Sequence, residues 1–243
     1  MENRTLLVLG ASSDVGCALI GAAADRYDTI LAHYFHMNEN LSALQADLGE
    51  KLIPLQADLS KRQKVEEMAA QIRGRGCLPD HIVHLAAPVC RNEKFARCDM
   101  DDDFGYGIGT SVMSAICVLQ AFLPAMAKKK YGRVVFMLTA YVDGKPPKYL
   151  SPYITAKYAL LGLMKSLAAE YAEKGIAING VSPEMMETRF LREIPELVVA
   201  QNAAASPLKR NLTTADVIPA FLYLLSEEAS CVTGQNLVIT GGK

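Results

Sequence analysis

Tyr153 and Lys157 stand four residues apart in the run Tyr153-Ile154-Thr155-Ala156-Lys157. On a helix that spacing brings both side chains to one face, with Cβ atoms about 5–6 Å apart. An ammonium so placed lowers the pKa of a phenol. A phenol so tuned donates or accepts a proton at a carbonyl or alcohol carbon. Tyr141 and Lys145 share the spacing, but Gly144 lies between them and Pro146-Pro147 follows, so no helix holds that pair together. The Tyr153 pair follows Ser151-Pro152, read as an N-cap and a proline at the first helical position. Leu160, Leu163, Met164, Leu167 and Tyr171 continue at helical spacing, and Gly175 ends the helix.

A second chemical feature is the turn Gly10-Ala11-Ser12-Ser13-Asp14-Val15-Gly16, which links an apolar strand to a helix. Such a turn aims backbone N–H groups and a helix N-terminus at a pyrophosphate. Asp14 stands where the usual fingerprint has its middle glycine. A carboxylate repels a pyrophosphate, so Asp14 is expected to face away and cap the helix. About 20 residues further on, a nucleotide site that prefers NAD carries an acid for the ribose 2′-hydroxyl. Here the segment reads His33-Tyr34-Phe35-His36-Met37-Asn38, with no acid before Glu39. The missing carboxylate favours NADP, with NAD the alternative. His36 and Asn38 are the candidate contacts to a 2′-phosphate, since no lysine or arginine stands among them.

The elements that must position these residues alternate in type. Strands are read at Thr5–Leu9, Thr29–Tyr34, 51–56, 81–86, 133–138, 177–181 and Asn236–Ile239. Helices are read at 16–26, 41–48, 61–73, 103–128, 152–174 and 214–227. That alternation predicts an α/β fold: a doubly wound parallel sheet, Rossmann-like, with helices on both faces. No linker or repeat interrupts residues 1–243, which are read as one domain. The least regular stretches, 141–152 and 184–213, follow carboxyl ends of strands, where such folds bind ligands. Their Tyr, Met, Leu and Ile content suits a medium-sized, partly apolar carbonyl compound, for example a 3-oxoacyl thioester.

Composition narrows the function. The chain has a net charge of −1 and 21% charged residues, which argues against a nucleic-acid surface. Lys128-Lys129-Lys130 reads as a solvated helix end. No apolar run approaches the roughly 18–20 residues of a membrane span. The N-terminus shows no cleavable signal pattern. Six cysteines without a Cys-x-x-Cys pair read as reduced, mostly buried thiols of a cytoplasmic protein, and four scattered histidines offer no metal spacing.

Five segments in order carry a resemblance to the short-chain dehydrogenase/reductase family over essentially the whole chain. Leu9 to Gly16 resembles its T-G-x-x-x-G-x-G turn, and Asp58-Leu59-Ser60 its D-[VL]-[ST]. Tyr153 and Lys157 match Y-x-x-x-K, and Asn179 through Pro183 to Thr188 resembles N-x-[IV]-x-P-G-x-x-x-T. Val232-Thr233-Gly234 to Gly242 resembles the closing strand. The resemblance implies Tyr153 as general acid/base, with Lys157 binding the nicotinamide ribose and holding the phenol's pKa down. Thr139 falls on the serine that orients the carbonyl. Ser111, 21 residues before Gly132, falls on the asparagine that bridges a water to the lysine. Cofactor contacts fall on Gly10, Ser12, Ser13, Asp14, Val15 and Gly16 in the turn, and on Tyr34 and His36 after the second strand. They continue with Asp58, Leu59, Ala86, Lys157, Pro183 and Thr188, and with Met186 over the nicotinamide.

Four departures mark the chain: Asp14 for a glycine, Ser111 for the asparagine, His84-Leu85-Ala86-Ala87 for N-N-A-G, and Glu184 after Pro183. They keep open a nucleotide-binding regulator or partner subunit without turnover. His84 is read as a satisfied, partly buried histidine rather than a base. The resemblance implies a small-molecule substrate and a homotetramer. The long helix offers Val112, Met113, Ile116, Val118, Leu119, Phe122 and Leu123 on more than one face. The following helix adds Tyr158, Leu161 and Met164 for a partner.

Overall fold

A computed structural model describes residues 4–89 and 91–243; Cys90 lies outside the described residues. Seven strands form one sheet in the order β3-β2-β1-β4-β5-β6-β7. They are β1 (Thr5–Leu9), β2 (Thr29–Tyr34), β3 (Leu52–Gln56), β4 (His81–His84), β5 (Gly132–Met137), β6 (Ile176–Pro183) and β7 (Asn236–Ile239). Every pairing is parallel, with Leu7 opposite both Leu31 and Ile82. A parallel sheet needs both faces covered, which explains why β1 and β5 are buried along their whole length. The order reverses between β1 and β4, where doubly wound sheets open a crevice at their carboxyl edge.

Helices α1 (Asp14–Ala23), α2 (Glu39–Leu48) and α8 (Thr214–Leu224) cover one face. Their Leu19, Ile20 and Phe221 pack on Leu6, Val8 and Val135. Helices α3 (Arg62–Gly74), α5 (Ser114–Lys129) and α6 (Ser151–Tyr171) cover the other, where Ile72, Phe122 and Leu160 meet Leu7, Phe136 and Ile178. Burying one such side chain contributes about 1.5–3 kcal/mol. Two further helices are α4 (Tyr106–Ile108), within the run leading to α5, and α7 (Glu196–Ala205).

Several elements differ from the sequence reading. The helix expected at 103–128 starts as π-helix over Met100–Gly105, and a second π-segment, Gly109–Met113, precedes α5. Gly105, Gly107 and Gly109 weaken the α-helical preference of that stretch. The whole run Met100–Lys129 is long and apolar enough to cross a membrane, contrary to the expectation that no segment is. Val118, Leu119 and Phe122 are nevertheless buried in the core against the sheet. Helix α7 falls within a segment read as irregular. β4 ends at His84 rather than 86, because the chain leaves the sheet at the crevice. Leu150, not Ser151, is the N-cap of α6, and its side chain makes no capping bond. Met164, expected on an outward face, is fully buried. The five described cysteines are free but not mostly buried: four are half-buried and Cys231 is exposed.

Candidate active site

A cavity of about 790 Å³ opens at the carboxyl edge of the sheet, bounded by the β1–α1 turn, the ends of β4 to β6, and segment 183–205. Gly10 begins the turn with φ 87°, and a Cβ there would stand 3.2 Å from the Ala86 nitrogen. A Cβ on Gly16 would lie 2.5 Å from the Gly10 oxygen. Both positions therefore need glycine for the helix to start this close to the strand ends. Ser13, rather than Asp14, caps α1: its hydroxyl accepts from the Gly16 N–H at 3.0 Å and donates to the Gly10 carbonyl at 2.8 Å. Asp14 is the first helical residue, and its carboxylate pairs with Arg189.

His33 braces the turn from β2. Its Nδ1 accepts from the Gly10 N–H at 3.1 Å, which leaves Nε2 to donate to the Ala57 carbonyl at 3.1 Å. Burial pushes this imidazole down to about 4, so it is neutral near pH 7. Asn38 lines the cavity with one amide hydrogen still to give. Its Oδ1 accepts from the Leu41 N–H to cap α2, and its Nδ2 donates to the Ser12 carbonyl at 2.6 Å. The Asp58 carboxylate, at the adenine end of the sequence reading, accepts from both the N–H and the hydroxyl of Ser60.

At the other end, α6 opens into the cavity. The Lys157 Nζ lies 5.6 Å from the centroid of the Tyr153 ring and donates to the Met137 carbonyl at 2.7 Å. Lys157 is only 3% exposed, so its charge acts on the phenol through a poorly screened medium. Thr139, just past β5, lines the same cavity; its oxygen accepts from the Tyr141 N–H at 3.5 Å, and its own O–H remains a donor. Phe190 packs on the Tyr153 ring at 5.8 Å between centroids. Leu150, Ile154 and Ile194 form an apolar wall beside them.

The cavity thus gathers Gly10, Ser12 to Val15, His36, Asp58, Leu59, Ala86, Thr139, Tyr153, Lys157, Pro183, Met186 and Thr188. Gly16 and Tyr34 do not line it. Ser111 is buried and lines no part of it; Thr110 stands there instead. The π-segment that begins at Gly109 shifts the helical register, which accounts for the difference. His84 is fully buried, with Nε2 bonded to the Ser114 hydroxyl at 3.1 Å, but its Nδ1 has no partner among the described residues, so it is not fully satisfied as expected. Glu184 pairs with Lys243 at 3.0 Å. Arg189 and Phe190 are site residues that sequence reasoning missed, because no spacing rule reaches between a post-β6 segment and the rest of the site; Thr110 was missed because it lies one residue from the position the count selected.

A family model described as enoyl-(acyl carrier protein) reductase matches residues 10–243. The chain belongs to the short-chain dehydrogenase/reductase family. It is 30% identical over 251 residues to oxidoreductase UcpA of Salmonella typhimurium, covering 100% of this chain and 95% of that protein. It is 28% identical over 241 residues to the 3-oxoacyl-[acyl-carrier-protein] reductase FabG of Escherichia coli, covering 99% and 97%. Among solved structures, a 3-oxoacyl-[acyl-carrier protein] reductase with bound NAD from Brucella melitensis superposes with a TM-score of 0.86 at 23% identity, covering 98% of this chain and 90% of that one. Family membership makes the protein an NAD(P)-dependent oxidoreductase of the short-chain type.

Proposed function

We propose that the enzyme interconverts a partly apolar ketone and its secondary alcohol at the Tyr153 end of the cavity, with NADP preferred over NAD. The observation that carries the reading is the convergence of Tyr153, Lys157 and Thr139 on one cavity that also contains the glycine turn. The residues present fit a dinucleotide. Gly10 and Gly16 allow the close turn, and Ser13 caps only the Gly16 N–H, so the start of α1 still offers N–H groups without an intrahelical acceptor. Asp14 is neutralised by Arg189, which removes the repulsion that a bare carboxylate would exert. Asp58 and Leu59 would flank the adenine, Ala86 the adjoining ribose, and Met186 and Thr188 the nicotinamide, while Lys157 would hold the nicotinamide ribose.

When bound, the nicotinamide supplies or accepts the hydride. The chain's own residues handle the oxygen. The Thr139 hydroxyl donates to the substrate oxygen and orients it, and the Tyr153 hydroxyl gives it a proton during reduction or takes one during oxidation. Lys157 stabilises the phenolate left behind, from its fixed place on the Met137 carbonyl. Phe190, Leu150 and Ile194 line the cavity as an apolar wall, backed by Ile154, which suits an acyl or cyclic hydrocarbon portion beside the carbonyl.

We further read the protein as a cytoplasmic homotetramer. Met113 and Tyr158 are exposed on neighbouring helices, Leu161 is half-buried, and β7 is an unpaired edge strand with Val238 exposed. Two such self-complementary patches build a dihedral tetramer. A panel of ketones, including 3-oxoacyl thioesters, followed by loss of NADPH absorbance tests the activity. Turnover of an apolar ketone supports the reading, and dinucleotide binding without turnover of any member favours the non-catalytic regulator.

A further inference from the structure

We propose that Arg189 is the phosphate-binding cation of the dinucleotide site, taking the place of the basic residues that the glycine turn and the end of β2 lack. The inference rests on the cofactor reading above. At that end of the cavity the turn and β2 contribute only imidazoles. His33 is buried and occupied at both nitrogens, which leaves His36. Lys157 is held at the opposite end by the Met137 carbonyl. A dinucleotide with several phosphate charges meets no lysine or arginine from the elements that normally supply one.

Arg189 fills the gap from far along the chain. It follows Thr188 and begins a short 3₁₀ turn, Arg189–Leu191. Its backbone N–H and its Nε donate to the two Asp14 oxygens, each at 2.7 Å. Its Nη2 donates to the Ser12 carbonyl at 3.1 Å. The same carbonyl accepts from Asn38, the N-cap of α2. The guanidinium therefore sits where the glycine turn meets α2, the neighbourhood of both a pyrophosphate and a ribose 2′-phosphate in this architecture. Among the described residues its Nη1 has no hydrogen-bond partner, and the side chain is 54% exposed.

A guanidinium presents five N–H donors in a fixed fork suited to phosphate oxygens. Asp14 occupies only part of that fork and fixes its orientation. Asp14 is thus the positioning residue, and its presence in place of the fingerprint glycine has a physical reason: it holds the imported cation beside the turn. The arrangement also ties cofactor to substrate loop, because the next residue, Phe190, packs on Tyr153.

The test is direct titration of the intact protein with NADPH and with NADH, followed by calorimetry, for wild type, Arg189→Gln and Asp14→Asn. Circular dichroism confirms that each variant is folded. Arg189→Gln is expected to weaken NADPH binding at least tenfold. A loss confined to NADPH assigns the contact to the 2′-phosphate. An equal loss for NADH assigns it to the pyrophosphate. Competition by 2′-AMP against ADP separates the two sources again. Asp14→Asn removes the charge that anchors the guanidinium but keeps the cation and one oxygen that accepts from it, so it should weaken NADPH binding by less than Arg189→Gln does. The proposal is overturned if Arg189→Gln binds both dinucleotides as wild type does, or if Asp14→Asn loses as much as Arg189→Gln. A wild type that binds neither dinucleotide overturns the cofactor reading and this inference with it.

Discussion

Acid should destabilise this fold well above the pH at which its carboxylates titrate, because three histidines are buried in the neutral form. Burial holds His33 down to about 4. It holds His81 and His84 down to about 3, aided by the nearby Arg133 and Lys157 charges respectively. In the unfolded chain each returns to about 6.5. All three folded values lie below the unfolded one, so unfolding takes up protons as the pH falls between about 6.5 and 4. Their contribution to stability is fully present above that window and drains away through it. At about 1.4 kcal/mol per pKa unit, moving from pH 7.5 to 5 costs about 2 kcal/mol for each histidine. The sum, about 6 kcal/mol, is comparable with the 5–15 kcal/mol that holds a typical domain together. Urea unfolding followed by circular dichroism at pH 7.5, 6.5, 5.5 and 5.0 measures it directly. Replacing His81, which joins the Tyr27 and Tyr131 hydroxyls at 2.6 and 2.9 Å, by glutamine should reduce the pH slope by about one third. A stability that stays flat from pH 7.5 to 5 would refute the reasoning, since it would mean that the imidazoles titrate alike in both states.

Other outcomes follow from the geometry. Gly16→Ala places a methyl 2.5 Å from a backbone oxygen that cannot swing aside. It should cost about 1–3 kcal/mol in unfolding free energy and abolish dinucleotide binding, while Gly74→Ala, where a Cβ meets open space, should leave both intact. Thr139→Ala should slow turnover more than it weakens cofactor binding, with Thr139→Ser restoring most of it in steady-state kinetics. Light scattering should give several times the 26.4 kDa of one chain, and Met113→Glu with Tyr158→Glu should lower that mass; a wild-type mass near one chain refutes the assembly.

The fold was legible because alternation of apolar runs and helical spacing depends only on neighbours along the chain. Strands β1, β2 and β7 begin and end where apolar runs begin and end. The Tyr153 and Lys157 pair was legible for the same reason, since both sit within one turn of one helix. What stayed hidden depends on distant chain segments. Asp14 looks like a cap until Arg189 arrives from 175 residues away. Asn38 looks like a wholly free phosphate ligand until α2 takes its oxygen and Ser12 one of its two amide hydrogens. Ser111 was placed by counting back from Gly132, a procedure that assumes unbroken α-helix, and the π-segment Gly109–Met113 breaks that assumption. Helix α7 was hidden because it presents no clean apolar stripe to follow, none of its residues being buried.

Kinetics of Tyr153→Phe test the central claim most directly. The substitution keeps the ring against Phe190 and above Lys157 and removes only the hydroxyl. With a ketone that the wild type reduces, turnover should fall by roughly 10²–10⁴, the range for a lost general acid, while the NADPH dissociation constant stays within about twofold. Turnover near that of wild type would contradict the assignment of the proton donor and, with it, the account of how this cavity works.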